Sequence, residues 1–333
     1  MKLISETEDS KSTGMGMLSN DRLVIKVCQL YYGENLSQKE ISQKLFVSRP
    51  QISRMLACAR DSGLVTIRLN NPYAEEDRLE GELIKKYRLR AAQVIDVFSK
   101  EGDEAREIIG QNAGDRIARY LSLCKTVGIM SGKSVFHVIS NVFPVHNRNL
   151  SFVSLVGGMG SAGAEWHANY MAQCLAEKTG GKAYLLHAPL VMRNENAKRN
   201  LVNEEGIRYI FDLAGSCDMI FAGIGQIDAG ATMIESGTLN GEDLAFLKKA
   251  GAVAAAGAVF FDKDGAVLDN EFTRRFIGIG AEQLRACPNV VAVAFGREKI
   301  DAIDASLRSS LIHELITNAD TARALLNIRG KKA

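Results

Sequence analysis

SQKEISQKLFVSRPQISRMLACARDSG, from Ser37 to Gly63, contains two helix starts separated by a short turn. The first is Ser37-Gln38-Lys39-Glu40. Its spacing predicts a capping box, in which the Ser37 hydroxyl accepts from the Glu40 amide and the Glu40 carboxylate reaches back. The second is Ser48-Arg49-Pro50-Gln51, where Pro50 is tolerated because a first helical turn has no internal donor to lose. Ile41 and Leu45 face inward from one helix, and Ile52, Met55, Leu56 and Ala59 from the other, which Gly63 ends. Upstream, Leu23, Val27, Leu30 and Tyr31 make a third apolar face that stops at Gly33. Two capped helices across a tight turn form a helix-turn-helix pattern.

In that pattern the second helix enters the major groove, its N-terminal residues nearest the bases. Opposite its buried face stand Arg49, Gln51, Ser53 and Arg54. Arginine pairs with guanine and glutamine with adenine, while serine suits a phosphate. The candidate DNA-contacting set is therefore Ser37, Gln38, Ser48, Arg49, Gln51, Ser53 and Arg54. Over residues 21–70, eight basic and four acidic side chains leave +4, against +2 for the whole chain. The basic excess is thus local, as contact with a polyanion requires. The alternative is a three-helix protein-interaction module with a solvated basic face. Leu64–Leu69 reads as a wing-like strand beside the helices.

The 333 residues suggest two domains, and 46% hydrophobic with 24% charged residues is a globular profile. The expected organisation is a disordered tail over 1–19, a DNA-binding domain over 20–70, a linker helix over 71–89 and an effector domain over 90–330. No apolar run is long enough to span a bilayer, and no signal core precedes the first helix, so a cytoplasmic location is expected. The six cysteines form no C-x-x-C pair, which points to reduced thiols.

Beyond residue 90, short apolar runs alternate with helical patterns. Expected strands are Ala92–Val97, Thr126–Ile129, Ser151–Leu155, Lys182–Leu186, Met219–Ile224, Ala254–Phe261 and Val290–Ala294. Such alternation predicts a parallel sheet with helices on both faces. Three strands run into glycine-rich loops: Gly128–Ser134, Val156–Ser161 and Gly223–Gly225. Glycines admit close backbone approach, and helix N-termini attract anions, so a phosphate or carboxylate ligand is expected at the strand ends.

Several catalytic motifs fail. Gly128 and Gly132-Lys133-Ser134 are one residue too close for a P-loop. Asp262-Lys263-Asp264-Gly265 lacks the later ligands of a calcium loop and fits a hairpin turn. The five histidines are scattered without metal-ligand spacing, and no nucleophile elbow occurs. No cofactor, metal or catalytic residue is expected. The competing reading is a sugar-phosphate isomerase or deaminase carrying a DNA-binding attachment, for which Asp262, Glu165 and His167 would be the acid–base candidates.

The Leu23–Val65 pattern resembles the N-terminal module of the SorC family of sugar-responsive regulators. Val127-Gly128-Ile129, Leu155–Gly160, Ala188-Pro189, Gly223-Ile224-Gly225, Gly251-Ala252-Val253, Phe260–Gly265 and Lys299-x-x-Ala302-Ile303 resemble its effector domain in the same order. The resemblance covers about residues 20–328. It implies a Rossmann-like, sugar-phosphate-isomerase-like α/β domain joined to an all-α winged-type helix-turn-helix domain. It also implies an operator DNA partner, a phosphorylated sugar or polyol as effector, and a homo-oligomer built as a dimer of dimers.

By position, the effector would meet Gly132, Lys133, Ser134, Gly157, Gly158, Met159, Gly160, Gly225, Asp262 and Lys299. The chain departs from the family pattern at four places. Lys133 adds a charge to the Met130–Ser134 loop. Ala255 replaces an acidic residue. Phe295 interrupts an Ala-Gly-Gly stretch, and Thr317-Asn318-Ala319 stands for Thr-Asp-Glu. The expectation narrows to an anion sensor with an altered pocket.

Overall fold

The computed structural model describes residues 21–67, 71–158, 160 and 163–328. The expected tail over 1–19 lies outside them, as do Met159 and the end of the expected wing strand. The chain divides into two compact units, one ending at Pro72 and the other beginning at Tyr73.

In the first unit, α1 runs over 21–28 and continues into a π-type turn at Gln29–Gly33. Helices α2 (Gln38–Leu45) and α3 (Arg49–Asp61) follow. Ser37 Oγ accepts from the Glu40 amide at 3.3 Å, and a Glu40 carboxylate oxygen accepts from the Ser37 amide at 2.8 Å. The Ser37 hydrogen bonds hold the Glu40 carboxyl below its ordinary range. At the second start, Gln51 Oε1 accepts from the Ser48 hydroxyl at 2.8 Å. Val24, Val27, Leu30, Ile41, Ile52, Leu56 and Ala59 close one core. Residues 64–65 form a bend and 66–67 have no regular structure, in place of the expected wing strand, with Leu64 and Ile67 exposed. Alternating apolar residues make a strand only where another strand pairs with them, and none among the described residues does so.

The second unit begins with α4 (Ala74–Tyr87), β1 (Ala91–Ile95), α5 (Gly102–Leu121), β2 (Thr126–Ile129) and α6 (Lys133–Ser140). Then come β3 (Ser151–Ser154), α7 (Ala168–Thr179), β4 (Lys182–Tyr184), α8 (Glu195–Val202) and α9 (Glu205–Ala214). Next are β5 (Met219–Gly223), β6 (Gly225–Gln226), α10 (Thr232–Glu235), α11 (Gly241–Lys249), β7 (Ala252–Ala256) and β8 (Val259–Asp262). The chain closes with α12 (Ala281–Ala286), β9 (Val290–Val293), α13 (Ile300–Arg308), β10 (Glu314–Asn318) and α14 (Ala319–Asn327). Among the described residues no helix is long and apolar enough to cross a membrane.

Seven strands form one wholly parallel sheet in the order β1-β10-β9-β5-β2-β3-β4. Apolar runs such as Val290–Val293 are buried throughout, as a sheet covered on both faces requires. Two expectations fail here. Ala254–Phe261 is not one strand of that sheet. Gly257, at φ +58°, turns the chain so that β7 and β8 pair antiparallel and join β6 in a separate three-stranded sheet. The helix expected as a linker is part of the second unit, because Leu79, Leu83 and Tyr87 are buried and α4 packs on β1 and α14. Lys86 Nζ donates to the carbonyls of Leu325 and Ile328, and Tyr87 donates to Asp304 at 2.7 Å.

Candidate functional site

After β2 the chain moves to β3 on one side, whereas the neighbouring β5 leads toward β9 on the other. Chain reversals of this kind open a crevice beyond the strand C-termini. Here the crevice is a cleft of about 780 Å³, counted out to its mouth. Gly132, Lys133, Ser134, Gly225 and Lys299, expected from sequence, all line it, and so does Ala255. Gly223 has no Cβ to hold the two loops apart. One built there would stand 3.3 Å from the Ser131 carbonyl.

Helix α6 starts at the cleft. Its N-cap is Gly132, whose lack of a side chain leaves the first-turn amides of Lys133 and Ser134 without a side-chain cap. Such amides carry the positive end of the helix dipole. Lys133 Nζ is held by the Glu235 carboxylate at 2.5 Å and lies 4.2 Å from the centroid of the Trp166 ring. The Trp166 carbonyl in turn accepts from the Gly132 amide at 3.0 Å.

Lys299 enters from the loop after β9. Its residue surface is half-buried, yet burial of the ammonium is the main cause pulling its pKa below the ordinary lysine value, with the Arg106 cation next. No carboxylate among the described residues forms an ion pair with it. Lys299 and Ser134 also line a second cleft of about 1180 Å³, bounded by Arg106, Arg297 and Asn318.

The loop after β3 behaves differently from expectation. The amides of Gly157, Gly158 and Gly160 donate to Ile277 O, Ala188 O and Thr238 Oγ1. They are not available to an anion while those bonds stand. A Cβ on Gly157 would meet the Pro189 carbonyl at 2.4 Å, so close backbone packing accounts for the glycine. Asp262 does not line the cleft. Its carboxylate accepts from the amides of Asp264 and Ala266, each at 2.9 Å, and closes its own hairpin turn. Glu165 and His167 do not line the cleft either. What sequence reasoning missed is the segment from Ala231 to Leu247. Its glycines, Gly237 and Gly241, lie at helix ends and follow no strand, and it supplies Thr232, Met233, Ile234, Leu239, Leu244 and Leu247 to one wall.

On the first unit, Arg49, Gln51, Ser53 and Arg54 of α3 are exposed, while Ile52, Leu56 and Ala59 are buried. Ser37 and Ser48 are exposed and Gln38 half-buried at the helix starts. The Gln51 amide oxygen is occupied by Ser48, and Arg54 Nε donates weakly to the Pro50 carbonyl at 3.4 Å.

Residues 71–327 match the sugar-binding domain family, Sugar-bind. The deoxyribonucleoside regulator of Bacillus subtilis is 29% identical over 308 residues, which is 92% of this chain and 97% of that protein. The sorbitol operon regulator of Klebsiella pneumoniae is 27% identical over 310 residues, covering 92% and 98%. Among solved structures, full-length SorC from K. pneumoniae superposes with TM-score 0.70 at 25% identity, over 92% of this chain and 98% of that one. A DeoR family transcriptional regulator from Listeria monocytogenes gives TM-score 0.71 at 26% identity, over 75% and 99%.

Proposed function

The chain belongs to the SorC family of sugar-binding regulators, and from that premise we propose that it is a transcription regulator whose operator affinity is set by a small phosphorylated effector of the sugar or polyol class. The observation that carries the reading is Lys299, which makes no ion pair among the described residues, is lowered in pKa by burial despite the attraction of Glu298 and Asp228, and lines the same cleft as the uncapped first turn of α6. A buried charge is costly unless something of opposite sign meets it. A phosphate would be met there by the Lys133 and Ser134 amides, the Ser134 hydroxyl and two ammonium groups.

The DNA-reading element in this proposal is the pair α2 and α3, with α3 in the major groove and Arg49 and Arg54 as base or phosphate contacts. The working species is a homo-oligomer, a dimer of dimers in the cytoplasm, so that two-fold related reading helices meet the half-sites of an operator. Effector binding acts by favouring one arrangement of that assembly. A coupling of about 1–3 kcal/mol changes operator affinity roughly 5- to 150-fold.

Fluorescence anisotropy with operator DNA, at fixed salt, tests the proposal against a panel of phosphorylated sugars and polyols. The expected result is a shift of that size with at least one compound. Operator binding that ignores every phosphorylated compound overturns the sensor, and absence of DNA binding overturns the regulator.

A further inference from the structure

We propose that Gln226 is the residue that reads the effector's hydroxyls, and that what it reads is a pair of hydroxyls on adjacent carbons. The proposal rests on the reading of Lys299 and the α6 N-terminus as the anion end. Strand β6 ends at Gln226 and packs against the turn Arg297–Lys299, so Gln226 and Lys299 line neighbouring parts of one cleft. Gln226 is only 9% exposed. No aspartate or glutamate is among the described lining residues, and of their side chains that of Gln226 alone carries a carbonyl oxygen.

A primary amide has two N–H donors and an oxygen that accepts twice. Here one N–H is used, weakly: Nε2 donates to the Gly230 carbonyl at 3.5 Å, and the amide makes no other hydrogen bond among the described residues. A buried amide left in that state is costly. A hydroxyl both donates and accepts, so two hydroxyls on neighbouring carbons can meet the amide oxygen and nitrogen together. The rest of the lining narrows the choice. Ser131 Oγ is already tied to the Ala168 amide at 3.2 Å, and Ser134 belongs to the anion end. Thr232 supplies one further hydroxyl, whereas Ile224, Ile227, Met233 and Ile234 supply none. Recognition of the polyol therefore concentrates on Gln226, with Thr232 beside it in the lining. A neutral amide also receives hydroxyls without setting a negative charge near the phosphate, as a carboxylate would. Such a site rejects a ligand that lacks the hydroxyls, because the amide then stays unpaired.

Calorimetry on the full-length protein with two matched pairs tests this: propyl and glycerol phosphate, and pentyl and ribitol phosphate, beside inorganic phosphate. The emission of Trp166, the only tryptophan, gives a second readout. In at least one pair the polyol ester is expected to bind about tenfold or more tighter than the alkyl ester. Gln226→Leu, of similar size, is expected to bring that ratio to about twofold or less, and Gln226→Met, of similar length, to do the same. The ratio is the readout, since a merely structural role for Gln226 would weaken both members of a pair alike. That outcome, or a preference that survives both variants, overturns the role of Gln226 and leaves the polyol sensor standing. A parent protein that favours neither polyol ester overturns hydroxyl reading in this cleft and leaves the anion site standing. Failure of every phosphate to bind, inorganic phosphate included, overturns the anion site itself.

Discussion

The Lys133 ammonium stands over the Trp166 ring and against the Glu235 carboxylate at once. The lysine at the cleft is thereby held by two partners before any ligand arrives. An anion entering the cleft competes with Glu235 for it. Glu235→Gln should therefore raise phosphate affinity by a few-fold, the scale of a partly exposed ion pair. Lys133→Met should lower it about tenfold and change the Trp166 emission even without ligand. Isothermal titration with inorganic phosphate measures both. Equal affinities in all three proteins would exclude Lys133 from the anion site.

Lys299 predicts a pH dependence of definite sign. Its folded pKa lies below the ordinary lysine value of 10.5, chiefly from burial. Between the two values the unfolded chain binds the extra proton, so stability rises with pH across that window. Below the window both states are protonated and the burial penalty is fully present. Lys299→Met should be more stable than the parent near neutrality and should lack this component of the alkaline rise. Anion affinity should also decline at a lower pH than an ordinary lysine would dictate. Chemical denaturation from pH 7 to 10.5 checks the first statement. A variant that is less stable than the parent without ligand would refute it.

Much of this architecture is legible in the residues, and the failures have physical causes. The caps at Ser37 and Ser48 are local chemistry, readable from spacing alone. Strands such as Thr126–Ile129 and Val290–Val293 announce themselves as apolar runs. Strand β10 does not, because Glu314, Thr317 and Asn318 are polar yet buried. Glu314 is tolerated only through partners remote in sequence: Arg116 at 2.8 Å, Tyr120 at 2.6 Å and Asn289 at 2.8 Å. The β7–β8 hairpin hides because Gly257 sits in an unbroken apolar run. At the site, the glycines at the α6 start and the β5 end line the cleft. Those in the loop after β3 mislead, where Gly157 answers to Pro189. The wall from α10 and α11 is mostly apolar, with Thr232 among its residues, and gives no sequence sign that it borders a cleft.

The Glu314 cluster supports a stability prediction. Arg116→Ala would leave a carboxylate that is 3% exposed without its cation. Breaking a buried pair from one side costs about 3–5 kcal/mol. Arg116 itself is partly exposed, which places the expectation at the lower end. Denaturant titration should show a loss near 3 kcal/mol, whereas a loss below 1 kcal/mol would mean that Tyr120 and Asn289 alone satisfy Glu314.

Two glycines of the cleft region should separate packing from binding. Gly157→Ala drives a Cβ to 2.4 Å from the Pro189 carbonyl, so the loop must shift, at about 1–3 kcal/mol. Gly225→Ala meets only the Ala255 carbonyl at 3.8 Å, ordinary contact, and places its methyl group at a cleft-lining position. The first variant should unfold earlier with phosphate affinity little changed once folded. The second should keep its melting temperature and bind phosphate esters more weakly. The reverse pattern would reassign the anion to the β3 loop.

The DNA-reading proposal is tested at α3. Arg49 and Arg54 are exposed, so Ala at either position should alter stability by no more than about 0.5 kcal/mol. A base-reading arginine should cost about 1–3 kcal/mol of operator affinity and relax preference at one base pair. A phosphate-contacting arginine should instead weaken all sequences alike and reduce the salt slope by about one. Gln51 differs from both, since its amide oxygen is bound to Ser48. To read adenine it must give up that bond, so Gln51→Ala should lower both operator affinity and the stability of the first unit, the latter by about 1 kcal/mol. Anisotropy at several salt concentrations with wild-type and shuffled operator resolves the cases. If neither arginine variant changes affinity or salt slope, α3 is not the reading helix.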